Sequence, residues 1–204
     1  MEALNNGLLV LASGNAGKLR ELGQLLQPMG FTLRAQSEWG TPEAVEDAPT
    51  FIENALIKAR HAADHTGHAA IADDSGLVVP ALDGEPGIRS ARYAADHGQP
   101  GGDAENNRVL LSRMAGLRGA ERRAFFYCAM VLTRSSHDPA PLVATAAWWG
   151  QILEEPRGEH GFGYDPLFWV SEHDCSSAQL SAELKNSISH RGRAVRTLLG
   201  ALGR

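Results

Sequence analysis

Cysteine is scarce: Cys128 and Cys175 are the only two in 204 residues, far apart and without CxxC spacing. That excludes a zinc ribbon, argues against a disulfide framework and fits a reducing compartment. Positive charge is also in deficit, with 19 Lys and Arg against 24 Asp and Glu, a net charge of −5. Such a balance argues against nucleic acid as a partner, and an anionic ligand would need a local basic pocket. No apolar run approaches the ~18 residues of a membrane-spanning helix. The opening Met-Glu-Ala-Leu-Asn-Asn has no basic stretch of the secretory kind. A soluble cytoplasmic protein is therefore expected. Internal repeats, low-complexity segments and long linkers are missing too. With 43% hydrophobic and 21% charged residues, 1–204 reads as a single ordinary globular domain with interior enough to need no staples.

Two nucleotide signatures are absent. A phosphate-binding P-loop needs G-x-x-x-x-G-K-[ST], but Gly14 lies three residues before Gly17, and Leu19 stands where the hydroxyl should be. The G-x-G-x-x-G dinucleotide fingerprint does not occur. Kinase and dehydrogenase readings lose their support here.

What is present begins with Ala70 to Gly76, Ala-Ile-Ala-Asp-Asp-Ser-Gly. A short apolar run meets two acids, which are costly to bury without partners or a metal. The pattern predicts a strand ending at the acids, with Asp74-Ser75-Gly76 as a hairpin turn and a return arm from Leu77 to Leu82. Upstream, the wholly apolar Leu8 to Ala12 predicts a buried strand. It runs into Ser13-Gly14-Asn15-Ala16-Gly17-Lys18 and then a helix with Leu19, Leu22, Leu25 and Leu26 on one face. Strand, glycine-bearing turn and helix can aim backbone N–H groups at an anion, with Lys18 adding charge.

An acidic loop carrying Glu43, Glu46 and Asp47 precedes Thr50-Phe51-Ile52-Glu53, whose spacing predicts a capped helix with Ile52, Ala55, Leu56, Ala59 and Ala63 as its stripe. His61, His65 and His68 fall away from that stripe and read as solvated. Arg89 and Arg92 either brace a turn or meet phosphate. Asp103 is expected to cap a further helix. Residues 122–134 alternate as a strand in which Cys128 packs into the core. A strand over 142–153 puts Trp148 and Trp149 on opposite faces. Gly158 to Pro166, glycine-rich with embedded aromatics, either lets backbone approach a ligand while its rings supply stacking area or is an ordered surface loop. Lys185, His190 and Arg191 bring cations near a helix junction in the last third.

These blocks occur in order along nearly the whole chain: Ser-Gly-Asn-Ala-Gly-Lys at 13–18, Thr-Phe-Ile-Glu-Asn-Ala at 50–55, Ile-Ala-Asp-Asp-Ser-Gly at 71–76, Pro-Gly-Ile-Arg-Ser-Ala-Arg-Tyr at 86–93, Gly-Phe-Gly-Tyr-Asp-Pro at 161–166 and Ile-Ser-His-Arg-Gly at 188–192. Together they closely resemble the inosine/xanthosine triphosphate pyrophosphatases. One departure is Leu184 before Lys185, where an acid is more usual.

The resemblance implies an α/β fold with a long central mixed sheet flanked by helices, two lobes with a substrate cleft between them, and a homodimer. It implies hydrolysis of ITP, dITP and XTP to the monophosphate and pyrophosphate with Mg²⁺. By position, Ser13, Gly14, Asn15, Ala16, Gly17 and Lys18 would hold the triphosphate. Asp74 would bind metal and activate water, with Glu46 as the first choice of helper, Asp73 second and Glu53 third. Ser75 would touch substrate, and Phe162, Gly163, Tyr164 and Asp165 would line the base pocket. Lys185, His190 and Arg191 would contact phosphate and the keto edge of the base. Two alternatives stay open: a hydrolase of broader triphosphate specificity, and a nucleotide-binding sensor without catalysis.

Overall fold

The computed structural model describes residues 7–202. Its strands are β1 (Leu8–Leu11), β2 (Thr32–Ala35), β3 (Ala70–Val78), β4 (Arg123–Thr133), β5 (Leu142–Ile152), β6 (Phe168–Val170) and β7 (Cys175–Ser176). The helices are α1 (Ala16–Leu26), α2 (Phe51–Thr66), α3 (Tyr93–Asp96), α4 (Asp103–Arg113), α5 (Ala182–Ile188) and α6 (His190–Ala201), with short 3-10 turns between. The seven strands form one sheet in the order β2-β1-β3-β4-β5-β6-β7. β1 runs parallel to β2 and β3, whereas β5, β6 and β7 are successively antiparallel, so the sheet is mixed. This is the expected α/β class.

The chain divides into two compact units. The first comprises residues 1–74, 128–146 and 191–204. Its core joins Leu9, Leu11, Leu22, Leu26, Ile71, Cys128, Met130 and Leu198. The helical face expected from Leu19, Leu22, Leu25 and Leu26 is there, with Leu22 and Leu26 fully buried. The second comprises residues 75–127 and 147–190, with Leu77, Tyr93, Leu110, Phe126, Trp148, Tyr164 and Phe168 among its core.

Three expectations need correction. Asp74-Ser75-Gly76 is not a hairpin turn: β3 runs straight through it to Val78. Turn propensity loses because the acids find cationic partners, so extended backbone can bury them. Ile52 is exposed and outside the buried stripe of α2, which instead contains Asn54 and Lys58 among Ala55, Ala59, Ala62 and Ala63. Asp103 is not a helix cap: Gly102 occupies that position, and Asp103 opens α4. The Thr50 cap holds, its hydroxyl accepting from the Glu53 N–H and donating to the Glu53 carboxylate. Trp148 is buried and Trp149 is exposed, on opposite faces as expected.

Candidate active site

In the first unit, residues 12–15 join β1 to α1. Asn15 caps it, Oδ1 accepting from the Lys18 N–H at 3.0 Å, while the Asn15 N–H donates to Ser13 Oγ at 3.1 Å. Gly14 has no room for a side chain unless Glu43 moves, because a Cβ there would lie 2.7 Å from Glu43 Oε1. The turn and the acidic loop are thus local neighbours.

Lys18 reaches from the first turn of α1 to β3, where Nζ meets Asp73 Oδ1 at 2.6 Å and the Asp73 carbonyl at 3.1 Å. Asp73 is fully buried. Its other oxygen accepts from Arg191 Nε at 2.9 Å and from the Cys128 thiol at 3.1 Å. Arg191 also pairs with Glu21, one turn past Lys18 on α1. Burial alone would raise the Asp73 pKa, but the Arg191 and Lys18 cations outweigh it and hold the carboxyl well below its ordinary range. Cys128 moves the opposite way: burial, then the Asp73 charge, push its thiol well up, so it stays protonated and is no nucleophile.

Asp74 has different company. Lys58 Nζ donates to Asp74 Oδ1 at 2.7 Å, to Glu46 Oε2 at 2.9 Å and to the Asp73 carbonyl at 3.2 Å. Burial raises the pKa of Asp74, with Lys58 only partly offsetting it and Glu46 adding to it. Glu46 is more open, and there Lys58 overcomes burial and lowers the pKa. Burial lowers the pKa of Lys58, but the Asp74 and Glu46 charges outweigh it and raise it. Asp74 Oδ2 is buried and has no hydrogen-bond partner among the described residues. Asn54 fixes the loop that carries Glu46, its amide bonding both the N–H and the carbonyl of Ala48.

The profile of the Ham1 family matches residues 9–201. The chain belongs to the Ham1 family. Among its relatives, the dITP/XTP pyrophosphatase of Aromatoleum aromaticum is 54% identical, covering 95% of this chain and 96% of the relative. That of Vibrio parahaemolyticus is 53% identical at the same coverage. The solved HAM1 protein of Coxiella burnetii superposes with a TM-score of 0.86 at 44% identity, covering 96% of this chain and 98% of that one. The Staphylococcus aureus Ham1 protein gives a TM-score of 0.82 at 38% identity, again covering 96% and 98%.

In the second unit of this Ham1 chain, Asp165 is a buried anchor. Oδ2 accepts from Lys185 Nζ at 2.6 Å and from the Phe162 N–H at 2.9 Å, and Oδ1 accepts from Ser177 Oγ at 2.8 Å. The Lys185 ammonium lies 5.1 Å from the centre of the Phe162 ring. Tyr164 is buried and donates to the Ser90 carbonyl at 2.9 Å. His190, also buried, stacks on Phe126 with centroids 4.9 Å apart and planes 11° from parallel. Ser75 is half-buried in β3.

Within the first unit, Lys18 and Arg191 meet Asp73 of β3, and Lys58 joins Asp74 to Glu46. Ser13 and Asn15 hold the turn before α1, Gly14 lies against Glu43, and Ala16 and Gly17 open the helix. Phe162, Gly163, Tyr164, Asp165 and Lys185 belong to a second set, in the other unit. Glu53 serves the helix cap. Arg89 pairs with Asp96 and braces its turn.

Sequence reasoning missed Lys58, Asn54 and Glu21. The first two carried a readable signal: polar residues in phase with an otherwise apolar helical stripe are buried for a reason. Glu21 had none.

Proposed function

We propose that this chain hydrolyses deaminated purine nucleoside triphosphates, namely dITP, XTP and ITP, to the monophosphate and pyrophosphate, acting in the cytoplasm as a Mg²⁺-dependent homodimer. Support comes from relatives named dITP/XTP pyrophosphatase at above half identity over nearly the whole chain. The observation that carries the reading is Asp74: one oxygen is fixed by Lys58, and the other is buried with no hydrogen-bond partner among the described residues. A buried carboxylate oxygen left that way is suited to a metal or a reacting water.

The donor set fits Mg²⁺. Among the described residues no three or more His, Cys, Asp or Glu gather as a metal cage. Mg²⁺ commonly takes one or two carboxylates and completes its shell with water and phosphate. Asp74 would hold it, with Glu46 as partner. Bound there, the ion would screen negative charge on the phosphates.

The chain's own residues do the rest. Lys58 favours the ionised forms of Asp74 and Glu46 and orients the Asp74 carboxylate. Asp74 Oδ2 accepts a hydrogen bond from the water that attacks the α-phosphorus and draws its proton. Ser13 to Lys18 offer the start of α1 and the Lys18 ammonium to the triphosphate. Arg191 contributes by fixing Asp73, which in turn positions Lys18. At the base end, Phe162 supplies a ring face, Ser75 a hydroxyl, and Lys185 and His190 donors to the 6-keto group. A 6-amino group there leaves buried donors unmatched, at about 1–3 kcal/mol each.

Purified protein with dITP and Mg²⁺ should release pyrophosphate, and orthophosphate as first product would refute the cleavage site. Asp74→Asn should lower kcat by about 10²-fold or more while nucleotide binding persists. Turnover within a few-fold of wild type would remove Asp74 from the chemistry.

A further inference from the structure

We propose that Asp103 and Asn107 of α4 are positioning residues that set the Phe162 loop for base recognition, an inference that rests on the pyrophosphatase reading above. The Gly163 N–H donates to Asp103 Oδ2 at 2.7 Å, and Asn107 Nδ2 donates to the Gly163 carbonyl at 2.9 Å. The two contacts grip successive peptides, one joining Phe162 to Gly163 and one joining Gly163 to Tyr164. Gly163 makes this possible with φ of 62°, a left-handed conformation that a side chain would resist. The Phe162 N–H is already held by Asp165. Phe162 is thus fixed on both sides of its Cα, through Asp165 before it and Asp103 after it.

The spacing of the grip follows from the helix. Residues 103 and 107 are one turn apart, so both side chains lie on the same face of α4. Asp103 is exposed and serves no cap. Asn107 is buried, and its Oδ1 has no partner among the described residues. A buried amide satisfied only through its donor is placed for that donor. The neighbouring Asn106 does the same for another segment: it accepts from the Ala94 N–H at 2.8 Å and donates to the Ala91 carbonyl at 3.2 Å. Tyr164 ties the two segments together through the Ser90 carbonyl. α4 therefore holds the aromatic loop and the 87–96 turn as one body.

A loop held this way presents the Phe162 ring without an ordering cost on binding, so loosening it should weaken base recognition before chemistry. Asp103→Ala should raise KM for dITP about three- to tenfold with kcat within about twofold, and lower the kcat/KM preference for dITP over dGTP. Asp103→Asn keeps an acceptor for the Gly163 N–H and should restore both. Glu105→Ala, which removes a first-turn acid that pairs with Arg108, should match wild type. In a Phe162→Ala background, Asp103→Ala should add little, because its effect runs through that ring. Unchanged KM and selectivity in Asp103→Ala would overturn the proposal, as would an equal loss in Glu105→Ala or full additivity with Phe162→Ala. A wild type that releases no pyrophosphate from dITP or XTP would refute the underlying reading and this inference with it. A normal wild type with a silent Asp103→Ala would refute this inference alone.

Discussion

Lys58 places one ammonium against three oxygens inside the first unit: Asp74 Oδ1, Glu46 Oε2 and the Asp73 carbonyl. Its consequences can be separated from those of Asp74. Lys58→Met keeps the length of the stem and deletes the charge. The two carboxylates then keep only the weaker influence of Lys18, which favours protonation of one of them. Turnover of dITP should fall about 10²-fold, and the acidic limb of the pH–rate profile should move to higher pH. Steady-state kinetics across pH check both, and an unmoved limb would show that Lys58 does not govern the carboxylates. Arg191 teaches the complementary lesson. The resemblance implies a contact with substrate, and in the structure its guanidinium lies on Asp73 and Glu21. No local pattern announces a partner 118 residues away.

At the scale of elements, legibility followed range. β1, its turn and α1 could be read because a wholly apolar run gives way to a helical period within a few residues. α2 could be read from its Thr50 cap. β3 could be read only as far as its acids: Asp-Asp-Ser-Gly spells a turn by propensity, and what overrides it arrives from α1, α2 and α6 as Lys18, Lys58 and Arg191. Asp103 likewise looked like a cap until the Gly163 N–H supplied a better partner. The 161–165 loop was recognised by composition, but its rigidity was not. There Gly161 has φ of 80°, and a Cβ would overlap Asp165 Oδ2. Gly161→Ala must strain the backbone and push Asp165 off Phe162 and Lys185. A loss of about 1–3 kcal/mol in unfolding free energy is expected, with KM for dITP raised. Denaturant unfolding and kinetics on the same preparation test it, and an unaltered KM would mean that Asp165 does not set Phe162.

Across the whole molecule, the chain passes between its two units at four points, two of which separate adjacent candidate site residues, Asp74 from Ser75 and His190 from Arg191. Each unit has its own apolar cluster, yet the most strongly depressed carboxyl of the candidate site, that of Asp73, sits fully buried in the first. This ties global stability to pH in a definite direction. The folded-state pKa of Asp73 lies below its ordinary 3.8, so its contribution is complete above that value and is lost as pH falls through the depressed one. The limiting slope for one proton is about 1.4 kcal/mol per pH unit. Asp73→Asn removes the charge that Lys18 and Arg191 were buried against, and should destabilise the protein at neutral pH by about 3–5 kcal/mol. The same variant has nothing left to titrate at that position. The gap in unfolding free energy between wild type and Asp73→Asn should therefore stay constant from neutral pH down to about pH 4 and shrink below it. Urea unfolding of both proteins over that range measures the gap directly. A gap that persists undiminished at the lowest pH would show that the carboxylate of Asp73 is not what holds the two cations.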